Sequence, residues 1–211
     1  MLKKLLRSLF AGLALTAAVA AAPVNAQEAD AQGTVKTAVD EVLSTIKGDP
    51  ELRNGNMTKV YQLVDQKIVP RADFKRTTQI AMGRFWSQAT PEQQRQIQDG
   101  FKTLLIRTYA GALSNVKNQT VTYKPFRAAA DDTDVVVRSL VNNNGEPVAL
   151  DYRMEKTPNG WKVYDINISG LWLSETYKNQ FAEVINKKGG VAGLVQFLDE
   201  RNEQLAKGPA K

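Results

Sequence analysis

Few side chains in this 211-residue sequence are suited to chemistry, and their types narrow what it can do. It contains no histidine and no cysteine. Ser-His-Asp and Cys-His catalysis are thereby excluded, together with the common zinc sites, disulfides and a cysteine for lipid attachment. Carboxylates remain. Asp131, Asp132 and Asp134 cluster in a turn-rich segment, where aspartate ordinarily bonds local backbone. Asp151 and Asp165 are expected on adjacent strands. Asp165, between Val163 and Ile166, is either a structural hydrogen-bonded group or a general base in a cavity. Gly189-Gly190 lacks the preceding strand that a phosphate-cradling loop requires. No metal site is expected. The remaining functional set is apolar and aromatic. From Trp161 to Ser169 the chain reads as a strand, and after Gly170 the residues Leu173, Tyr177, Phe181, Val184 and Ile185 share a face only if helical. Along that strand Trp161 and Val163 fall on one parity and Tyr164, Ile166 and Ile168 on the other, which calls for a bulge or for cover on both sides. Apolar side chains meeting at such a junction can close one wall of a cavity, and a lipid-sized ligand is expected there.

The N-terminus is basic, Ser8 to Ala22 is apolar and uncharged, and Val24-Asn25-Ala26 follows the small-x-small cleavage rule. Residues 1–26 are expected to be a cleaved Sec signal, since the run is shorter than the ~20 residues a membrane span needs. The mature chain, 27–211, is expected to be exported, soluble and monomeric. Its length suits a single domain. Loss of Lys3, Lys4 and Arg7 takes the net charge from +6 to +3, with 25 basic against 22 acidic residues. That excess is mild and dispersed, without the basic stripe that nucleic-acid binding requires.

The elements that would position these residues fall into three blocks. Residues 31–115 are helical: a first helix with Val35, Val39, Val42, Leu43 and Ile46 on one stripe, a second ending before Pro70, a third weakened at Gly83, and a long fourth opened by Thr90-Pro91-Glu92-Gln93. Residues 119–169 alternate as four strands, 119–126, 133–141, 147–155 and 161–169, with connections short enough for an antiparallel meander. Residues 173–204 form two closing helices around Gly189-Gly190. The expected fold is α+β: a four-stranded antiparallel meander covered by a layer of about six helices, with an apolar cavity between them.

Val-Asp65 with Ile68-Val69-Pro70, Asp73-Phe74, Met82-Gly83-x-x-Trp86, Thr90-Pro91-x-Gln93, and Phe101-x-x-Leu104-Leu105-x-x-x-Tyr109 appear in an order that resembles the periplasmic phospholipid shuttles of the MlaC family, also called the toluene-tolerance auxiliary family. Gly160-Trp161-Lys162-Val163-Tyr164-Asp165, Gly170 and Tyr177-Lys178-x-Gln180-Phe181 are similar to that family's most distinctive segment. The resemblance spans about Val35 to Leu198. It implies a non-enzymatic carrier in the periplasm, with phospholipid as cargo rather than a cofactor. It also implies two partners, an inner-membrane ABC transporter complex with a lipid-binding ring and an outer-membrane lipoprotein complex, and a role in outer-membrane lipid asymmetry. One departure is Trp172, where the family commonly has serine.

On this reading the slot is lined by Val148, Leu150, Tyr152 and Met154 of the third strand, Val163, Ile166 and Ile168 of the fourth, and Val64, Ile68, Leu105 and Tyr109 of the helices. Headgroup recognition is expected to be weak, with only Lys178, Ser174 and the amides after Gly170 near the junction. The competing expectation, by fold analogy, is an enzyme on a cone-shaped scaffold of the ketosteroid-isomerase kind, with Asp165 or Asp151 as base.

Overall fold

The structure, a computed structural model, describes residues 30–116, 118–129, 131–143 and 145–207. The expected signal segment lies outside them. Helix α1 (Ala31–Gly48) starts at Asp30, whose side chain accepts from the Gly33 amide, and α2 (Pro50–Arg53) is a single turn capped by Asp49. Helix α3 (Met57–Leu63) loosens into a π-helical turn, Val64–Ile68, and then a 3-10 turn, Val69–Arg71. Pro70, which has no N–H to donate, lies in that last turn. Helix α4 (Phe74–Met82) stops at Gly83, which adopts φ 51° and ψ −129°, a region that a side chain would oppose. A 3-10 segment, Gly83–Gln88, leads to α5 (Pro91–Tyr109). There Thr90 and Gln93 form the expected reciprocal capping box.

The sheet is an antiparallel meander in the order β1 (Thr120–Tyr123), β2 (Asp134–Asn143), β3 (Glu146–Thr157), β4 (Gly160–Ile168) and β5 (Leu171–Trp172). The α+β class agrees with expectation, and the strand count differs by one. Leu171-Trp172 is too short to show a period, and it pairs with Asn167 and Ile168 only because Ser169 and Gly170 turn the chain back with φ of 50° and 95°. The first strand is shorter than expected, since Pro125 cannot donate to the ladder. Helices α6 (Leu173–Lys187) and α7 (Gly190–Ala206) close the fold. Seven α-helices are thus present among the described residues, the turn α2 being the one that periodicity missed.

Apolar packing divides into three clusters. The helices from α4 to α7 bury Met82, Ile97, Phe101, Phe181, Leu194 and Leu198, with Phe101 edge-on to both Tyr177 and Phe181. A second cluster joins Val42 and Ile46 of α1 to Leu52, Val60, Leu63, Val64 and Ala110. The third joins Ala31 and Val35 of α1 to Val135, Val137, Tyr152 and Met154 of the sheet. Helix α1 therefore belongs to two clusters, holding the sheet with its first half and the small helices with its second.

Candidate functional site

The site is set by one irregularity in β4. Arg153 pairs with Asp165 while Met154 pairs with Val163, so Tyr164 is an extra residue in the ladder. The bulge restores a common direction to the apolar residues on either side of it. Val163, Ile166 and Ile168 share a face with Met154, Tyr152 and Leu150, their register partners, whereas Tyr164 and Asp165 both take the opposite face. The phase switch in the sequence is thus a bulge.

The face carrying Leu150 and Ile166 is the inner one, covered by α1. Its centre is tightly packed, with Val137 and Met154 fully buried. Around that centre Tyr123, Leu150, Val163, Ile166 and Ile168 are only half-buried, as is Val39 of α1 above them. Apolar side chains under a helical cover that remain partly accessible mark a face whose cover does not fill it. Leu150, Tyr152, Met154, Val163 and Ile166 fall in this sheet cluster, while Val64 and Ile68 lie in the neighbouring helical one. Val148 and Ile168 occupy the inner face farther along the strands, outside any cluster. Leu105 and Tyr109 pack instead against the cluster formed by α4 to α7. The side of α5 turned to α1 and α3 carries Ile106 and, just beyond the helix, Ala110 and Leu113. Sequence reasoning also passed over Tyr123, Val135 and Val137, although Val135, Val137, Ser139 and Val141 alternate as plainly as the third strand does.

Two phenols stand on this face. Burial raises Tyr152, with the nearby Ser139 hydroxyl opposing in part, and that hydroxyl donates to the Leu150 carbonyl at 2.9 Å. Tyr123 lies opposite Ser139 on β1, and its hydroxyl oxygen is shut off from solvent with no hydrogen-bond partner among the described residues. Burial, then Tyr152 and the charge of Asp40, push that phenol far above its usual range.

The outer face is polar and closed by α4 and α6. Asp165, 3% exposed, accepts from Arg153 Nη1 at 3.1 Å, from the Ile166 and Ser174 amides at 3.0 Å each, and from Ser174 Oγ at 2.6 Å. Helix α6 has no side-chain cap within its own segment, and Asp165 supplies one from the sheet. Both carboxylate oxygens are occupied by structural donors, which is the hydrogen-bonded alternative and not an available base. Ser174, fully buried in that contact, is not free to meet a headgroup. Arg153 stacks 3.9 Å over Trp172, so the residue that departs from the family pattern flanks this polar network. The expected cavity wall at the strand-to-helix junction is therefore filled on the α6 side, and the apolar face lies on the other side of β4. Beside it, Arg76 bridges Asp134 and Glu155 and lies 3.7 Å over the Tyr164 ring, and Tyr164 donates to Asp134 at 2.8 Å.

Two open clefts lie away from the inner face. One of about 540 Å³ runs between α5 and α7 beside Asp99, Arg107 and Asn202, and one of about 290 Å³ sits at Gly83 beside Lys178. Neither is lined by any residue of the expected slot. Among the described residues no group of acidic side chains is arranged to hold a metal, and no helix is long and apolar enough to cross a membrane.

Fold and site together define a small α+β protein with a half-covered apolar sheet face and a carboxylate network committed to structure. The family described as MlaC protein matches residues 36–200, and the chain belongs to that family. It is 26% identical over 156 residues to the toluene tolerance protein ttg2D of Pseudomonas putida, covering 74% of this chain and 73% of that one. It is 24% identical over 160 residues to the intermembrane phospholipid transport system binding protein MlaC of Haemophilus influenzae, covering 74% of each. A solved structure of a phospholipid-binding protein from Ralstonia solanacearum, in complex with a phospholipid, is 88% identical, with a TM-score of 0.81 over 84% of this chain and 99% of that one.

Proposed function

We propose that the protein is a periplasmic phospholipid carrier that holds acyl chains against the inner face of its sheet. It exchanges them with an inner-membrane ABC transporter complex bearing a lipid-binding ring and with an outer-membrane lipoprotein complex, and so maintains outer-membrane lipid asymmetry. The observation that carries the reading is the 88% identity to a protein solved with phospholipid bound, over nearly all of that protein's length. The half-buried inner face agrees with it. At roughly 0.8 kcal/mol per methylene, exposing two acyl chains to water costs on the order of 20 kcal/mol, so free lipid does not cross an aqueous gap unaided. A soluble protein with a dry slot removes that barrier without catalysis. The occupied carboxylate of Asp165 speaks against that residue as the base of the competing enzyme.

Protein purified from the periplasm should carry near-stoichiometric phospholipid, read by native mass spectrometry. Consistently lipid-free protein that also fails to extract lipid from vesicles would overturn the proposal.

A further inference from the structure

Tyr123 buries a hydroxyl that the folded chain leaves unserved. Phenylalanine would fill the same place without stranding a polar group, so the hydroxyl is costly unless something else accepts its proton. Ser139, the polar group across the ladder from Tyr123, is served within the chain, donating to the Leu150 carbonyl. The Tyr123 ring projects from β1 on the same face as Leu150 and Ile166, beneath α1. A guest lying against that face meets this hydroxyl.

The electrostatics select the kind of acceptor. Asp40 of α1 acts on the Tyr123 hydroxyl and, with burial and Tyr152, holds it protonated, so it offers a donor. The same negative charge opposes an anionic phosphate oxygen at that point. A neutral carbonyl meets no such opposition. In a glycerophospholipid the acyl-ester carbonyls sit where the apolar tails begin, and they are the neutral acceptors nearest a dry apolar wall. We infer that the Tyr123 hydroxyl donates a hydrogen bond to an acyl-ester carbonyl of the bound lipid, fixing how deep the lipid sits. The inference rests on the carrier reading, and it assigns Tyr123 as a residue that distinguishes ester-linked from ether-linked lipids.

The test loads wild-type protein and Tyr123→Phe with dioleoyl phosphatidylglycerol or its dialkyl ether analogue and follows release to acceptor vesicles. Loss of one neutral hydrogen bond should speed release of the ester lipid by about two- to tenfold in the variant. The ether lipid should leave both proteins at one rate, and wild-type protein alone should hold the ester lipid longer than the ether. Lipid-free Tyr123→Phe should melt at or above the wild-type temperature. Equal release of the ester lipid by both proteins overturns the inference while leaving the carrier standing. Equal acceleration of both lipids overturns it too, since the contact is then with phosphate or is mere packing. Wild-type protein that holds neither lipid overturns the carrier reading along with it.

Discussion

The two faces of the sheet are held by different forces. On the inner face Val135, Val137, Met154 and Ile166 meet α1 through dispersion and burial, which have no direction and can be re-made with another apolar partner. On the outer face Asp165, Arg153, Asp134, Glu155 and Tyr164 meet Arg76 of α4 and Ser174 of α6 through directed hydrogen bonds and ion pairs that only one arrangement satisfies. The difference teaches a division of labour. On the proposed function, the face that admits and releases a guest is built from exchangeable contacts, and the face behind it is pinned so that the sheet keeps its shape meanwhile.

The largest expected effect lies on the pinned face. Asp165→Ala leaves Ser174 and its amide without their acceptor and Arg153 without its buried partner. Losing one partner of a buried pair costs about 3 kcal/mol or more, and the partial exposure of Arg153 keeps the expectation at the lower end. Urea denaturation should show that loss, while the fraction that remains folded keeps its phospholipid. A variant of near wild-type stability that has shed its lipid would reverse the roles assigned to the two faces.

A change on the inner face should act the other way round. Leu150→Glu places a charge on a half-buried apolar surface, where desolvation without a partner is costly for any guest beside it. Co-purifying phospholipid should fall about tenfold with the circular dichroism spectrum retained. Arg138→Glu, exposed on the other face of the adjoining strand, is the matched control and should leave lipid unchanged. If both variants carry normal lipid, the guest lies elsewhere.

How far these faces were readable from the sequence depended on whether local pattern alone decided them. The alternation of Val148, Leu150, Tyr152 and Met154 placed the inner face of β3, because period two has one solution per strand. The Thr90-Pro91-Glu92-Gln93 start of α5 was equally local. Val163, Ile166 and Ile168 could be grouped only by supposing a bulge, which depends on the partner strand as much as on β4. Leu105 and Ile106 differ by one step of about 100° around a helix, and both are apolar, so spacing does not say which cluster each joins. The partner of Asp165 is the amide and hydroxyl of Ser174 across a turn, a tertiary contact with no periodic signature. Most hidden was Tyr123, whose distinction is a bond it does not make within the chain.

The smallest expected effect concerns the phenols, which appear on both faces. Tyr164, on the outer face, is pushed up to about 12 by burial first, then by donating to Asp134 and by that carboxylate's charge, with Arg76 and Arg153 opposing. Because the folded chain holds this proton to higher pH than the unfolded chain, the stability it contributes is fully present below about pH 10. It is lost as pH rises through about 12. Tyr177, inside the helical cluster, is pushed up to about 12 chiefly by burial and adds to the same window. Thermal unfolding followed from pH 9 to 12 should therefore show a falling melting temperature above about pH 10, with a shallower fall in Tyr164→Phe. The comparison of faces adds a condition. Stripping lipid should leave the Tyr164 contribution in place, since Arg76 of α4 lies over that ring and Asp134 accepts from it on the face away from the guest. Phenolate absorbance measured on loaded and lipid-free protein separates the two faces: a titration step that moves on delipidation belongs to Tyr123 or Tyr152, and one that stays and is lost in Tyr164→Phe belongs to the pinned side. If the step lost in Tyr164→Phe is the one that moves with lipid, the outer face is not independent of the slot, and the division between exchangeable and fixed contacts fails.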